Sequence, residues 1–131
     1  MFSHIHVGVS DFARALAFYT PLMNVLGVER RFVDTNRSWA GWKAPGSERP
    51  LFLVGVPHDG AMHHPGNGQM VAFQASSRIS VDQSHALALE LGGVDDGAPG
   101  LRPHYHADYY GAYFRDPDGN KLCVCCHQPE G

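Results

Sequence analysis

The chain has 131 residues, a length that fits one ordinary domain. Lys and Arg number 10 against 13 Asp and Glu, and the net charge of -3 disfavours nucleic acid or anionic lipid as a partner. Hydrophobic residues make up 44% and charged residues 18%, which excludes intrinsic disorder as the main state. No apolar run is long enough to cross a bilayer and no leader pattern is visible, so we expect a cytoplasmic protein without a membrane partner.

The first half of the chain is predicted to form one strand, one helix and three further strands. Polar and apolar side chains alternate over residues 3–9, which indicates a strand with one buried face. Asp11 is a suitable N-cap for a helix that extends to Gly27, with a break at Pro21 because proline has no N–H to donate. Short strands separated by turn-forming residues follow at 29–36, 37–43 and 51–56.

The same order of elements begins again after a polar connecting segment at 57–68. A strand is predicted at 70–75, and Ser80 with Gln83 resembles a capping box that opens a helix ending at Gly92. A Gly/Pro-rich segment is followed by a strand at 109–115, a turn at 116–119 and a strand at 121–127. The two halves therefore form an internal duplication, and neither half could bury its sheet face alone.

The three cysteines lie close together in the sequence, at Cys123, Cys125 and Cys126. Neighbours on one strand are poorly placed to pair, so we expect no disulfide and a reducing compartment. Cys125 and Cys126 are interpreted as small buried hydrophobic side chains. Cys123 is also a candidate ligand residue.

Three segments carry a family resemblance by their order and spacing. They are HIHVGVSD at 4–11, VAF at 71–73 and YFRDPDGN at 113–120. Together they resemble the vicinal oxygen chelate superfamily, which includes glyoxalase I, bleomycin-resistance proteins and extradiol dioxygenases. The resemblance implies an α+β fold in one domain, with two βαβββ modules at about 1–57 and 68–131. It also implies one cupped eight-stranded mixed sheet with the helices outside and a ligand pocket inside.

Enzymes of this superfamily commonly hold a divalent metal ion through His and Glu side chains, and the resemblance places these ligands at positions 4, 70 and 123. His4 matches this pattern, whereas Met70 and Cys123 stand where a His and a Glu are usual. A thioether is a poor ligand for a hard ion, so we expect no metal. The alternative is a zinc, nickel or iron ion on His4 and Cys123, completed by a side chain such as His6, His104 or His106.

A segment rich in His and Tyr at 104–110 supplies further candidate site residues. The segment either contacts a ligand, or it is the aromatic start of a strand whose rings complete the core. The resemblance implies catalytic roles for His4 and for Tyr113, which matches a Tyr that reaches the active site in the fosfomycin-resistance branch. The predicted substrate-binding residues are His6, Met70, His104, Tyr105, His106, Tyr109 and Cys123.

Two aromatic residues and one histidine complete the predictions. Trp39 and Trp42 fall on opposite faces of their strand, so one of them lines the cavity and the other packs under a helix. Which residue does which is left open by the pattern. His85, like the other histidines outside the candidate site, is expected at the solvated surface.

Two functions fit these observations. The first is a glyoxalase-like lyase or isomerase that acts on a small carbonyl or thiol-conjugated substrate. The second is a metal-free protein that sequesters a small molecule, as bleomycin-resistance proteins do. Because two metal ligands are replaced, the chemistry favours binding, whereas the overall resemblance favours the enzyme. Relatives are frequently homodimers, so the resemblance implies a homodimer that binds a small-molecule ligand.

Overall fold

The computed structural model describes residues 1–129, which form two compact units divided between Pro65 and Gly66. The elements of the first unit are β1 (His4–Gly8), α1 (Phe12–Val25), β2 (Glu29–Asp34), β3 (Trp39–Lys43) and β4 (Leu51–Gly55). Those of the second are β5 (Val71–Gln74), α2 (Arg78–Glu90), β6 (Val94–Leu101), β7 (Tyr110–Arg115) and β8 (Lys121–Cys126). Neither described helix is long and apolar enough to span a membrane.

Each unit contains one four-stranded mixed sheet, and the two sheets have the same topology. The strand orders are β1-β4-β3-β2 in the first unit and β5-β8-β7-β6 in the second. In each sheet the first strand of the unit runs parallel to its last, and the other pairs are antiparallel. The predicted α+β fold of two βαβββ modules is therefore confirmed.

Three aromatic rings form the centre of the first unit's core. Trp42 of β3, Tyr19 of α1 and Phe52 of β4 lie with their ring centroids 5.5–6.4 Å apart, within the range of favourable aromatic contacts. All three side chains are buried. Because Trp42 faces this core, Trp39 projects from the opposite face of the sheet, which resolves the alternative that the sequence left open.

Helix α1 is continuous, so the predicted break at Pro21 is wrong. The buried residues on both sides of the proline explain why. Phe18, Leu22 and Met23 continue one apolar stripe past Pro21, and each is at most 1% exposed. Burying two such side chains beyond the proline stabilises the folded unit by about 3–6 kcal/mol, which offsets the penalty of about 3 kcal/mol for a proline inside a helix. The N-cap prediction at Asp11 is confirmed, since its carboxylate accepts a hydrogen bond from the N–H of Arg14 at 3.0 Å.

Helix α2 begins earlier than predicted. Its N-cap is Ser77, whose hydroxyl oxygen accepts a hydrogen bond from the N–H of Ser80 at 3.1 Å, so Ser80 lies in the first turn. The helix packs on β6, β7 and β8. The predicted solvated position of His85 is also wrong, because this side chain is buried between α2 and the sheet. Its Nε2 lies 2.8 Å from an Asp95 carboxylate oxygen, and its ring meets the edge of Phe114.

Strand β6 occupies the segment that the sequence analysis left without a strand. Its two glycines and one proline obscured the pattern. Its pairing with β7 is irregular between Asp95 and Gly97 and again between Gly97 and Gly100. Pro99 is tolerated because β6 lies at the edge of its sheet, where a missing N–H leaves no neighbouring strand unpaired.

The turn between β7 and β8 forms as predicted and is fixed by a buried carboxylate. Asp116 is 2% exposed. One of its oxygens accepts hydrogen bonds from the N–H groups of Asp118 and Asn120, both at 2.9 Å, and the other accepts one from the Asn120 side chain at 2.8 Å. Gly119 adopts a φ of 86°, a conformation that favours glycine.

Candidate functional site

The first unit carries an open pocket of 550 Å³ on the sheet face to which Trp39 belongs. We call it the Trp39 pocket. Its lining combines an apolar part with cationic or titratable side chains, and the residues are His6, Arg37, Trp39, Val56, Pro57 and His58. The Trp39 ring is held by an edge contact with Phe32 at 4.8 Å between ring centroids.

A glycine lets two of the lining side chains approach each other. Gly55 of β4 lies opposite Trp39 of β3. A Cβ at this glycine would lie 2.8 Å from the Cβ of Trp39 and 3.2 Å from Nε2 of His6, so any larger residue would push them apart. The size of residue 55 therefore sets the geometry of the pocket floor.

His6 is held neutral by its surroundings. Burial lowers the pKa of His6, and the nearby imidazoles of His4 and His63 lower it further. A neutral imidazole offers one hydrogen-bond donor and one acceptor. His6 can therefore bind a polar group of a ligand without requiring that the ligand be charged.

His4 lies two residues before His6 on β1 and is exposed. Its Nδ1 is 2.9 Å from the hydroxyl oxygen of Ser3. This contact occupies one ring nitrogen and leaves the other open to solvent or to a ligand.

In the second unit, three predicted site residues lie close together with one further cysteine. We call this group the tyrosine–cysteine cluster, and its members are Tyr109, Tyr113, Cys123 and Cys125. The hydroxyl oxygens of Tyr109 and Tyr113 are 3.0 Å apart, and the Tyr109 oxygen lies 3.5 Å from Sγ of Cys123. Tyr113 and Cys123 are direct cross-strand partners of β7 and β8. The cluster lies on the opposite sheet face from α2, because Tyr110 and Phe114, which alternate with Tyr113 along β7, contact that helix.

Interactions within the cluster give its two thiols different pKa values. Interaction with the Cys125 thiol lowers the pKa of Cys123 to about 7 against the raising effect of burial, with further lowering from Tyr109, Tyr113 and the charge of Arg102. The same Cys123 contact, together with burial, raises the pKa of Cys125. Burial is also the largest cause of the raised pKa of Tyr109. Cys123 is thus the member of the cluster that carries negative charge most readily.

Two histidines extend this network to the surface. Nδ1 of His106 accepts a hydrogen bond from the Asp108 N–H at 3.2 Å, so in the neutral ring the proton is on Nε2. That Nε2–H donates to Nδ1 of His127 at 2.8 Å. The other nitrogen of His127 then carries its proton and points at Sγ of Cys125, 3.6 Å away. His106 and His127 are both exposed.

A second, smaller pocket lies beside the cluster. We call it the Tyr113 pocket; it has a volume of 360 Å³ and is lined by Asp96, Gly97, Arg102, His104, Tyr105, Tyr113 and Lys121. Arg102 and Lys121 place their charges 5.5 and 5.6 Å from the centroid of the Tyr113 ring, within cation–π range. Lys121 also pairs with Asp96 at 3.6 Å. This pocket offers cationic and aromatic surface to an anionic or planar group.

The metal ligands that the resemblance implied do not fit a divalent ion. Among residues 1–129, no three His, Cys, Asp or Glu side chains are grouped so that they could hold a metal. Met70 is 45% exposed and offers only a thioether, and Cys123 is buried with its sulfur engaged by the Tyr109 hydroxyl. A hard ion requires oxygen ligands, and a borderline ion such as zinc, which accepts a thiolate, still requires three or four donors at one place.

The structure brings together only some of the predicted site residues. Tyr109, Tyr113 and Cys123 contact one another, as the preceding distances show. His104 and Tyr105 line the Tyr113 pocket, whereas Met70 lines neither pocket described above. The roles assigned to these residues remain predictions.

Sequence reasoning missed several charged residues that line the pockets. Lys121 could have been found, because strand alternation places it on the same face as Cys123. Arg37 was predicted at the start of a strand at 37–43, but it lies in the turn before β3, and Arg102 lies outside the regular elements. Asp96 lies on β6, which was not predicted as a strand.

Comparison with known proteins identifies the family. The sequence model of the Glyoxalase/Bleomycin resistance protein/Dioxygenase superfamily matches residues 1–124. The chain belongs to this superfamily. The family resemblance inferred from the sequence is thereby confirmed.

Solved structures of this superfamily agree in fold. A glyoxalase/bleomycin resistance protein from Albidiferax ferrireducens T118 is 34% identical with a TM-score of 0.85, and the match covers 96% of this chain and 98% of that one. A superfamily enzyme from Burkholderia phytofirmans PsJN is 19% identical with a TM-score of 0.70, covering 96% and 98%. A glyoxalase/dioxygenase from Nostoc punctiforme is 18% identical with a TM-score of 0.67, covering 98% and 91%. No curated protein matches the chain.

Proposed function

We propose that this superfamily member binds a small molecule in the Trp39 pocket without using a metal ion. The proposal rests on two features together: the pocket has the size of a small-molecule site, and the residues at positions 4, 70 and 123 do not suit a divalent ion. The pocket volume of 550 Å³ lies within the range of about 300–1,000 Å³ that is usual for small-molecule sites.

The lining of the Trp39 pocket indicates the chemistry of the ligand. Trp39, Val56 and Pro57 supply an apolar surface for a flat body. The Arg37 side chain is 79% exposed and lies 4.0 Å from Asp34, a weak pair that leaves most of its N–H groups able to bind a carboxylate. Neutral His6 can either donate or accept a hydrogen bond. An aromatic carboxylate of modest size satisfies all three parts.

The test is a thermal-shift screen of small aromatic carboxylates and thiols, followed by calorimetry on the best compound. We expect binding that is unchanged by EDTA, is lost or strongly weakened in Trp39→Ala, and is weakened in Arg37→Gln. Arg49→Gln is the matched control, because Arg49 lies outside the pocket lining and its change should leave affinity unaltered. Binding that EDTA abolishes and added zinc or nickel restores would overturn the metal-free proposal.

The second candidate function is the lyase or isomerase that acts on a small carbonyl or thiol-conjugated substrate. The tyrosine–cysteine cluster favours it, because a hydrogen-bonded pair of phenols beside an acidic thiol can exchange protons with a substrate. The test is turnover of a hemithioacetal, with and without added divalent metals. Turnover that Tyr113→Phe reduces would support the enzyme. No turnover under any metal condition would reject it and leave binding as the function.

We further propose, from the family resemblance alone, that the protein is a cytoplasmic homodimer. Light scattering coupled to size-exclusion chromatography tests the assembly. A mass equal to one chain at micromolar concentration would contradict the dimer.

A further inference from the structure

Arg102 lines the Tyr113 pocket as a cation that has no acidic partner. Its Nη2 donates a hydrogen bond to the Ala98 carbonyl oxygen at 2.7 Å, and its guanidinium carbon lies 5.5 Å from the centroid of the Tyr113 ring. In the described part of the chain, no carboxylate forms an ion pair with Arg102. An arginine carries five N–H donors in a planar fork, so most of these donors are left for a ligand.

The surrounding backbone holds Arg102 in this position. Its N–H donates to the Tyr109 carbonyl oxygen at 2.8 Å, and its own carbonyl oxygen accepts a hydrogen bond from the Tyr105 N–H at 3.0 Å. The guanidinium also packs against two glycines of β6. A Cβ at Gly100 would lie 3.1 Å from Nη1 of Arg102, and one at Gly97 would lie 3.5 Å from Nη2. The side chain is thus oriented before a ligand binds, which lowers the entropic cost of binding.

The charges around the pocket favour a ligand that carries two negative charges. Arg102 and Lys121 line the pocket, and Asp96 is the acidic residue among its described lining. Asp96 forms ion pairs with Arg115 at 3.3 Å and with Lys121 at 3.6 Å. Three positive charges therefore surround one negative charge, and an excess of two positive charges is available to a ligand.

Aromatic rings provide a surface for the rest of the ligand. Tyr105 is 59% exposed, and its ring centroid lies 4.2 Å from that of His104 and 4.9 Å from that of Tyr109. The exposed part of the Tyr105 ring can stack on a planar group. The pocket volume of 360 Å³ is near the lower end of the range of about 300–1,000 Å³ for small-molecule sites. The ligand should therefore be small and partly aromatic.

We propose that the Tyr113 pocket binds small aryl phosphate monoesters. Arg102 donates hydrogen bonds to the phosphate oxygens, Lys121 adds a second positive charge, and Tyr105 lies beside the aryl ring. A phosphate monoester carries close to two negative charges above neutral pH and offers three acceptor oxygens, which match the charge excess and the donor fork. The pocket shares no lining residue with the Trp39 pocket, so this site is additional to the proposed function.

The experiment is calorimetric titration of the full chain with phenyl phosphate near pH 8, where the ester is doubly charged, in a buffer of low salt without phosphate. Phenyl sulfate is the matched probe, because it has nearly the same shape and only one negative charge. We expect phenyl phosphate to bind about fivefold or more tightly than phenyl sulfate, and its binding should weaken as salt is added. Inorganic phosphate should bind more weakly than phenyl phosphate, because it lacks the ring.

Four variants test the role of Arg102. Arg102→Gln should weaken phenyl phosphate binding about tenfold or more, and Arg102→Lys, which keeps the charge without the fork, about 3- to 10-fold. Gly100→Ala keeps every charge but displaces the guanidinium, and should weaken binding about threefold or more. Arg49→Gln removes an exposed arginine that lines neither pocket, and should leave the affinity unchanged. Circular dichroism and the thermal midpoint verify that each variant is folded.

Three results would overturn the proposal. The first is the absence of saturable phenyl phosphate binding up to about 10 mM. The second is equal affinity for phenyl sulfate, which would reject a site for a doubly charged ligand. The third is binding that Arg37→Gln abolishes and Arg102→Gln leaves intact, which would place the ligand in the Trp39 pocket. Aromatic carboxylate binding to Arg102→Gln, measured separately, tests the proposed function independently of this site.

Discussion

Replacing Asp116 by Ala should destabilise the second unit strongly, because this carboxylate closes the hairpin from inside. The side chain is 2% exposed and accepts three hydrogen bonds from N–H groups at 2.8–2.9 Å. A hydrogen bond to a charged group contributes about 1.5 kcal/mol or more, and the substitution also leaves buried donors without a partner. We expect a loss of about 3–5 kcal/mol, a large part of the total stability of a domain of this size.

Urea unfolding followed by tryptophan fluorescence and circular dichroism measures this loss. With a slope of about 2 kcal/mol per molar urea, the midpoint should fall by about 2 M. Asp116→Asn retains one carbonyl oxygen for the backbone donors and should lose only about 1–2 kcal/mol.

Asp59→Ala is the matched control for this prediction. It removes a single exposed hydrogen bond, the one that Asp59 accepts from the Ala61 N–H at 2.9 Å, and should cost about 0.5–1 kcal/mol. A midpoint for Asp116→Ala equal to that of this control would refute the reasoning. An Asp116→Asn variant as unstable as Asp116→Ala would show that the charge, and not the hydrogen bonds to the backbone, holds the turn.

Three further predictions concern the cores and helices. Trp42→Ala should cost about 3–5 kcal/mol of unfolding free energy, whereas Trp39→Ala should cost less and mainly weaken ligand binding; equal losses in urea unfolding would contradict this division. Pro21→Ala should stabilise the first unit by about 1–2 kcal/mol, since the new N–H can donate to the preceding turn of α1, and a lowered thermal midpoint would refute it. The hydrogen bond from the Gly97 N–H, and after it the one with His85, lowers the pKa of Asp95. The ionised Asp95 should therefore stabilise the folded chain above pH 3.8, and this stabilisation should be lost as the pH falls further. In urea unfolding measured at several pH values, Asp95→Asn should be less stable than the native chain above pH 3.8 and equally stable well below it.

Local signals predicted the fold well where residue order alone determined the structure. The alternation in β1, the N-cap at Asp11 and the turn at 116–119 all depend on residues within a few positions of one another. The prediction of a break at Pro21 failed because the decisive term was burial against β2 and β3, a tertiary contact that the residues around the proline do not reveal. Strand β6 was missed because an edge strand tolerates residues that a central strand excludes.

The candidate site was less accessible to sequence reasoning. Cys123 and Tyr113 were both named, but their contact depends on the register between β7 and β8, which no local pattern encodes. His85 was assigned to the surface because its partner, Asp95, lies on the unpredicted strand β6. The two pockets depend on such tertiary pairings, and they place charged residues from irregular segments beside predicted ones.

The parallel pairing of first and last strands has a consequence for synthesis on the ribosome. His4 lies opposite Leu51 and Val71 lies opposite Leu122, so each unit's opening strand finds its partner only after nearly the whole unit has been translated. Closing so long a loop is slow relative to helix or hairpin formation. Each nascent unit should therefore remain open, with its first strand edge exposed to chaperones or to other chains, until its fourth strand leaves the exit tunnel.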